Sequence, residues 1–427
     1  MKILSTQYLT SEEISRQLRR RRRKSLDVEG SVRNIISRVR NKGDTALFEF
    51  ALKFDGAKLR SLAVSKEEVD AAYGRVDVRL LRALRRAKRN IERFHRSHVR
   101  KREKSVATEK GVSVWREFRP IERVGLYIPG GKAAYFSTVL MLAIPAQIAG
   151  CREIIVSTPP SKDGKCQPVV LVAADLCGIE KVYKIGGAQA IAAMAFGTET
   201  IPRVYKIFGP GSRYVTTAKM MVYGAVDIDM PAGPSELLVI ADESAEPRWI
   251  AADLLAQLEH GEDSQGVLVT PSKICAERVT QEIKKQMSGA SRREIIRDSL
   301  RNSYVVVVES IDEACAIANE YAPEHLGIIA KNGAGILKRI WNAGSVFLGG
   351  YSSVSLGDYA TGANHTLPTS GFARMFSPLS TQSFGKMMQV QKVSREGIKN
   401  LRETVETLAI GEGLDAHRDA IRIRFPC

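Results

Sequence analysis

The spacing of apolar positions divides the chain into stretches of different texture. In the first hundred residues apolar side chains recur three or four apart, the period of helices with one buried face. Thr10-Ser11-Glu12-Glu13 is a capping pattern, a hydroxyl three residues ahead of a carboxylate. The first 25 residues are therefore expected to be a helical segment that ends in an arginine-rich run. Lys42-Gly43-Asp44 separates two further helices, over 31–42 and 45–54. Leu80, Leu81, Leu84, Ala87 and Ile91 mark another amphipathic helix.

From residue 120 short β-branched runs alternate with helical patterns. Strands are expected at 124–128, 153–157, 181–185, 204–208 and 236–240, and helices at 167–176, 189–196 and 214–223. A second series follows: helix 247–259, strand 266–270, helix 276–287, strand 304–309, helix 311–321, and strands 326–330 and 345–348. Such alternation predicts parallel sheets with helices on both faces. The expected fold class is α/β, two stacked, doubly wound-like parallel-sheet domains with helical N- and C-terminal extensions. The divisions expected are a helical segment 1–25, a first α/β domain from 26–119 and 237–378, a second at 120–236, and a helical segment 379–427. The two series hint at a duplication too faint to assert.

Composition narrows the function. At 427 residues and 44% hydrophobic, the chain has material for a large core. The longest apolar run, 138–151, is interrupted by Pro145 and Gln147 and is too short for a bilayer. The first residues lack the layout of a secretory signal. Six cysteines without a C-x-x-C pattern suggest reduced thiols, so a cytoplasmic location is expected and no membrane partner. The net charge is +17, and residues 1–100 hold 26 basic against 12 acidic residues. Clustered cations gain affinity for phosphates by releasing counterions. The helical apolar spacing inside the 79–104 stretch instead favours a solvated basic face, and no nucleic-acid-binding motif accompanies it.

Several chemistries are set aside. No G-x-G-x-x-G opens a helix after a strand. Gly125 to Lys132 resembles a phosphate loop only superficially, with Ala133 where a Ser or Thr is needed. H-E-x-x-H and G-x-S-x-G are absent. Four glycine-rich turns remain: Ile128-Pro129-Gly130-Gly131, Gly186-Gly187-Ala188-Gln189, Phe208-Gly209-Pro210-Gly211 and Pro231-Ala232-Gly233-Pro234-Ser235. Such turns let a ligand approach backbone beyond strand ends, and four together suggest a sizeable ligand.

Four of the six histidines stand beside acids and amides: Gln257-x-x-His260, Glu324-His325, His365 beyond Gly357-Asp358-Tyr359, and Glu412 ahead of His417. Histidine exchanges protons near neutral pH and ligates metals. Gln257 and His260, one turn apart at a helix end, can face one point. Asp358 or His417 would complete a mixed N/O set suited to zinc or a similar divalent ion. Each alone is equally a polar residue at a helix end. Glu324 and His325 point different ways and suit two separate proton transfers, Glu after partial desolvation.

Val124-Gly-Leu-Tyr-Ile-Pro-Gly-Gly131, Gly186-Gly-Ala-Gln-Ala-Ile191, Asp229-Met-Pro-Ala-Gly-Pro-Ser-Glu236, Glu259-His-Gly261, Tyr321-Ala-Pro-Glu-His325 and Gly357-Asp-Tyr359 with Asn364-His365 together resemble the histidinol dehydrogenase family. The likeness runs in order from Gly43-Asp44 to Glu412 and His417. It implies an aldehyde-dehydrogenase-like fold and NAD-linked, zinc-dependent oxidation of L-histidinol to L-histidine through an enzyme-held aldehyde. It further implies zinc on Gln257, His260, Asp358 and His417, the last from the other subunit of a homodimer. Substrate contacts would be these four with Ser235, His325 and Glu412. His325 would take the alcohol proton, Glu324 would activate water, and Tyr127, Gln189 and Ser212 would meet NAD. Two positions depart from the family pattern. Ser212 stands where Asn is usual, and Phe136-Ser137-Thr138 replaces a proline and paired serines. Rival expectations are a related enzyme acting on another alcohol such as a sulfonated diol, a zinc hydrolase using Glu324, and a nucleic-acid-binding protein.

Overall fold

The structure, a computed structural model, describes residues 1–19, 26–99, 102–131, 134–231 and 233–425. The basic run is thus left outside the described residues beyond Arg19, as are Lys132 and Ala133. Two parallel sheets organise the chain, as the alternating patterns predict. One has six strands in the order Lys2–Ser5, Tyr304–Val307, Gln265–Thr270, Glu236–Ala241, His325–Ile329 and Ser345–Leu348. The other has five, in the order Lys181–Lys184, Glu153–Thr158, Arg123–Tyr127, Lys206–Phe208 and Asp227–Ile228. All neighbours in both are parallel.

Each sheet is buried on both faces, and the two-residue period of a strand shows which side chain goes where. Val124, Leu126, Val156, Val182 and Phe208 enter one core, while Tyr127, Ile155, Tyr183 and Ile207 enter the opposite one. In the six-stranded sheet Leu237, Val239, Leu268 and Val305 oppose Leu238, Ile240, Val269 and Val306 in the same way. Each such fully buried aliphatic side chain contributes roughly 1.5–3 kcal/mol relative to exposure.

Three expectations are corrected. Residues 2–5 form an edge strand paired with 304–307, and the N-terminal helix is confined to Ser11–Leu18, capped by Thr10 with Glu13 as expected. The grouping of 26–119 with 237–378 does not match the packing. The segment Leu26–Phe50, helical on both sides of a break at Gly43 (φ 50°) as the sequence predicts, lies on Gly187–Phe196 and Arg213–Val222, Lys66–Tyr73 on Pro168–Leu176, and Val78–Ser97 on Phe136–Ala149. All three therefore cover the five-stranded sheet. Their apolar faces could have served either sheet, and sequence period cannot choose between them. Lastly, the segment after 378 is not wholly helical. Gly385–Val393 pairs antiparallel with Val112–Pro120, which also pairs with Val106–Glu109. This ribbon is mostly exposed, so burial leaves no alternating signature to read. Phe384 ties it to the core by stacking on Phe208, ring centroids 4.0 Å apart.

Candidate active site

The proton-transfer pair is set by a strained turn. Helix Ile311–Tyr321 ends at Ala322, which takes the left-handed conformation (φ 49°) without being glycine. Such strain, of order 1–3 kcal/mol, persists where surrounding structure enforces it. Pro323 follows, Glu324 comes next, and His325 is the first residue of its strand. Both side chains are buried, 7% and 3% exposed, a level that needs partners for polar groups. Glu324 Oε2 accepts the main-chain N–H of Glu236 at 2.9 Å. His325 Nδ1 lies 3.1 Å from the Glu236 carbonyl oxygen and 3.4 Å from Glu324 Oε2. Both partners are acceptors, so Nδ1 carries the proton and Nε2 is left as the exchanging atom. Nε2 has no hydrogen-bond partner and lies 3.9 Å from Asp358 Oδ1. Burial alone would favour the neutral ring. The Glu324 and Asp358 carboxylates and the Glu236 carbonyl outweigh it, and the imidazole pKa is pushed up to about 9.

Asp358 reaches this place through helix Val354–Tyr359, which packs on helix Pro247–Leu258, with Ser353 Oγ donating to Asp253 at 2.6 Å. Gly357 is required there, because a Cβ would meet the Phe347 ring at 2.6 Å. Gln257 is buried on the last turn of the 247–258 helix, and His260, exposed, lies just past its end. The Tyr359 phenol feels both Asp358 and Glu259, so the 257–260 and 358–359 segments are neighbours. Gln257, His260 and Asp358 thus sit on packed elements. His417 and Glu412 do not join them. Both are exposed, Glu412 at the end of helix Arg395–Gly411 and His417 on Asp415–Arg422. Among the described residues no three His, Cys, Asp or Glu groups gather as one chain's metal site. The oxygen and nitrogen donors of Gln257, His260 and Asp358 are nonetheless the kinds a divalent ion takes.

His365, given no role by the sequence, is half-buried, with Nε2 3.1 Å from Ser137 Oγ. Its pKa is lowered by burial, against the pull of Asp358. Asn364 Nδ2 donates to the Met141 carbonyl, and Ser370 N–H to Glu236 Oε1, so the strap over 360–371 joins both halves of the molecule. Beside Asp358 lies an apolar groove of about 180 Å³, walled by Leu80, Leu84, Phe136, Leu140 and Tyr359.

The cofactor candidates gather at the carboxyl ends of the five-stranded sheet. Tyr127 is buried, its hydroxyl accepts the Gly187 N–H at 3.1 Å, and burial pushes its pKa up to about 12. Gln189 folds back over Gly187, where a Cβ would be 2.7 Å from its Oε1. Gly209 (φ 121°) lies against the Tyr127 carbonyl, in space that no Cβ would fit. Ser212 stands exposed at the start of helix Arg213–Val222 and makes no capping bond. The buried Lys219 ammonium donates to Asp229 and to the Gly209 carbonyl, and Asp229 Oδ2 accepts the Gly209 N–H at 2.8 Å. The fourth turn lies between strand Asp227–Ile228 and strand Glu236–Ala241 and carries Ser235, half-buried, beside Glu236. Sequence reading passed over Glu236, Tyr321, Asp229 and Lys219. The first three lie inside the quoted motifs, and that proximity was the available signal.

Residues 18–425 match the family model described as histidinol dehydrogenase. A histidinol dehydrogenase of Bacteroides fragilis (strain YCH46) is 52% identical over 92% of each chain, and one of Clostridium acetobutylicum 48% identical over 100% of this chain and 99% of its own. The crystal structure of histidinol dehydrogenase from Elizabethkingia anophelis superposes with a TM-score of 0.97 at 44% identity, covering 99% of this chain and 98% of the other. The buried acid–imidazole pair and glycine-lined turns thus sit in an oxidoreductase framework, and the chain belongs to the histidinol dehydrogenase family.

Proposed function

We propose that this protein oxidises L-histidinol to L-histidine with two NAD, holding the intermediate aldehyde between two hydride transfers. The observation that carries the reading is the division of labour at Glu236. Its carbonyl fixes His325 with Nε2 directed away as a proton acceptor, while its N–H holds Glu324 as a separate carboxylate. Two oxidations of one carbon need two such groups. His325 takes the hydroxyl proton in the first, Glu324 removes a proton from water as it adds to the aldehyde, and His325 takes the proton of the hydrate in the second. Glu324 and His325 are buried, which keeps bulk water from the aldehyde.

Gln257, His260 and Asp358, with His417 from a second copy, would hold zinc. Bound there, the ion would supply a template for the substrate imidazole and amine and would offset the Asp358 charge, which after Glu324 helps to raise the His325 pKa. Ser235, His325 and Glu412 would grip the substrate with the zinc residues. Tyr127, Gln189 and Ser212 would meet NAD, which glycine-rich turns beyond the strand ends favour. The exposed position of His417, with exposed Leu408, Ile410, Leu414 and Ile423 on the same terminal helices, supports a homodimer with shared sites. No helix among the described residues is long and apolar enough to cross a membrane.

NADH formation from L-histidinol tests the reading in zinc-replete protein, with two NADH per substrate consumed as the expected result. Turnover of a sulfonated diol without turnover of histidinol would overturn the choice of substrate.

A further inference from the structure

Glu324 and His325 share one neighbour, and that neighbour has an anchored side chain of its own. Glu236 is 1% exposed. Its Oε1 accepts the Ser370 N–H at 2.6 Å, and its Oε2 lies 3.1 Å from the Tyr321 hydroxyl. That hydroxyl is in turn 2.6 Å from Gln265 Oε1, and Gln265 Nε2 donates to the Asn302 carbonyl. Ser370 is itself held at φ 58°, an unfavourable conformation for a serine, at the strap that crosses the site. We propose that Glu236 is a positioning residue: its carboxyl group clamps the start of strand 236–241 to the strap and to the end of helix 311–321, so that its own N–H and C=O hold Glu324 and His325. This rests on the histidinol-oxidising reading above.

The register explains why the side chain is needed. On the side of the 325–329 strand the ladder begins with His325 opposite Leu237, one residue beyond Glu236. On the other side Glu236 pairs with Gln265, whose N–H donates to the Ser235 carbonyl at 3.1 Å, so that ladder sets which way the Glu236 amide and carbonyl point, and the carboxyl contacts set their distance from Glu324 and His325. With the carboxyl contacts removed, the start of strand 236–241 loses its tie to the strap and to the helix that ends just before Glu324, and the spacing between its donor and acceptor and the two reacting side chains relaxes. A displacement near 1 Å at reacting groups costs on the order of 10²-fold in rate.

The test uses the zinc-loaded, full-length enzyme. Glu236→Met keeps the approximate volume and removes both acceptors. Glu236→Gln restores an oxygen for the Ser370 N–H and offers an N–H to the Tyr321 oxygen, whose proton then goes to Gln265. Glu236→Met is expected to lower kcat roughly 10- to 100-fold in both NADH-forming steps, with KM for histidinol and NAD within about threefold of wild type, and Glu236→Gln to recover most of the loss. The ¹⁵N-histidine spectrum supplies a second readout without turnover. The low-field Nδ1 proton of His325, identified by its loss in His325→Gln, is expected in wild type and Glu236→Gln and to shift or exchange in Glu236→Met. A folded Glu236→Met protein with wild-type kcat and an unmoved Nδ1 proton overturns the proposal, as does a rise in KM alone. Should Glu236→Met fail to fold, Tyr321→Phe decides: a smaller fall in kcat at constant KM supports the clamp, and wild-type kcat refutes it. If the wild-type enzyme leaves histidinol untouched, the functional reading falls, while the imidazole signal still tests the clamp.

Discussion

The two ends of the candidate site are built in opposite ways. Around Glu324 and His325 the side chains are buried, and both are bonded to Glu236 before any ligand arrives. Around Glu412 and His417 the side chains are exposed on terminal helices that pack on each other and, through helix 395–411, against the 385–393 strand of the antiparallel ribbon. Burial is affordable for the first pair because its own chain supplies partners for Glu324 Oε2 and His325 Nδ1, with His325 Nε2 left for a ligand. The second pair has no such surroundings among the described residues, and on the proposed reading a second copy of the chain supplies them. A functional residue can thus be exposed in a protomer without being idle.

Removing the prebuilt end has the largest expected effect. His325→Ala should lower kcat by about 10³-fold, within the range for a lost general base, measured as steady-state NADH formation. Glu324→Gln should leave the first NADH-forming step near wild type and slow aldehyde oxidation, giving a burst near one equivalent. A normal rate with the aldehyde as substrate contradicts that role.

The exposed end should fail by another route. His417→Ala is expected to lose zinc and activity together, as is His260→Ala. If the ligands come from two copies, mixing these variants and allowing exchange restores about a quarter of the wild-type sites. No recovery on mixing would place all the ligands on one chain. Ile423 and Leu414, exposed near His417, make a gentler probe. Each changed to Asp should weaken self-association about tenfold or more by sedimentation, and lower activity at low protein concentration while sparing it at high.

The smallest effect concerns proton linkage in the metal-free protein. Its His325 pKa is raised from 6.5 to about 9 by the neighbouring carboxylates against the effect of burial. The stability this supplies is fully present below about pH 6.5 and lost as pH rises through about 9. Chemical denaturation between pH 7 and 10 should therefore show a decline of at most about 3 kcal/mol that His325→Gln removes. An identical pH dependence in the variant would assign the decline to other groups.

The sequence revealed most where burial imposes a period. The helix at 311–321 and the strand that starts at 236 fall where the apolar pattern puts them, because the centre of the six-stranded sheet is packed on both faces. The 385–393 strand was illegible, since its side chains face solvent and alternate for no energetic reason. Neither did the pattern reveal that 2–5 is a strand, four residues at a sheet edge being too short to show a period. At the site, residue chemistry pointed to Glu324, His325 and Asp358, which do come together. The part played by Glu236 was hidden for a physical reason. Its contacts to the reacting pair are main-chain ones, which every residue type can make, and only the fold selects which residue makes them.

The Lys219–Asp229 pair has one more consequence. It grips the Gly209 turn, beside the Tyr127 corner, at the head of the segment that runs directly into Glu236. The Gly209 turn is therefore tied, through Asp229, to the short stretch that leads into the strand start holding Glu324 and His325. A ligand taken at that turn would meet backbone already anchored, by one buried ion pair, to the candidate reacting pair.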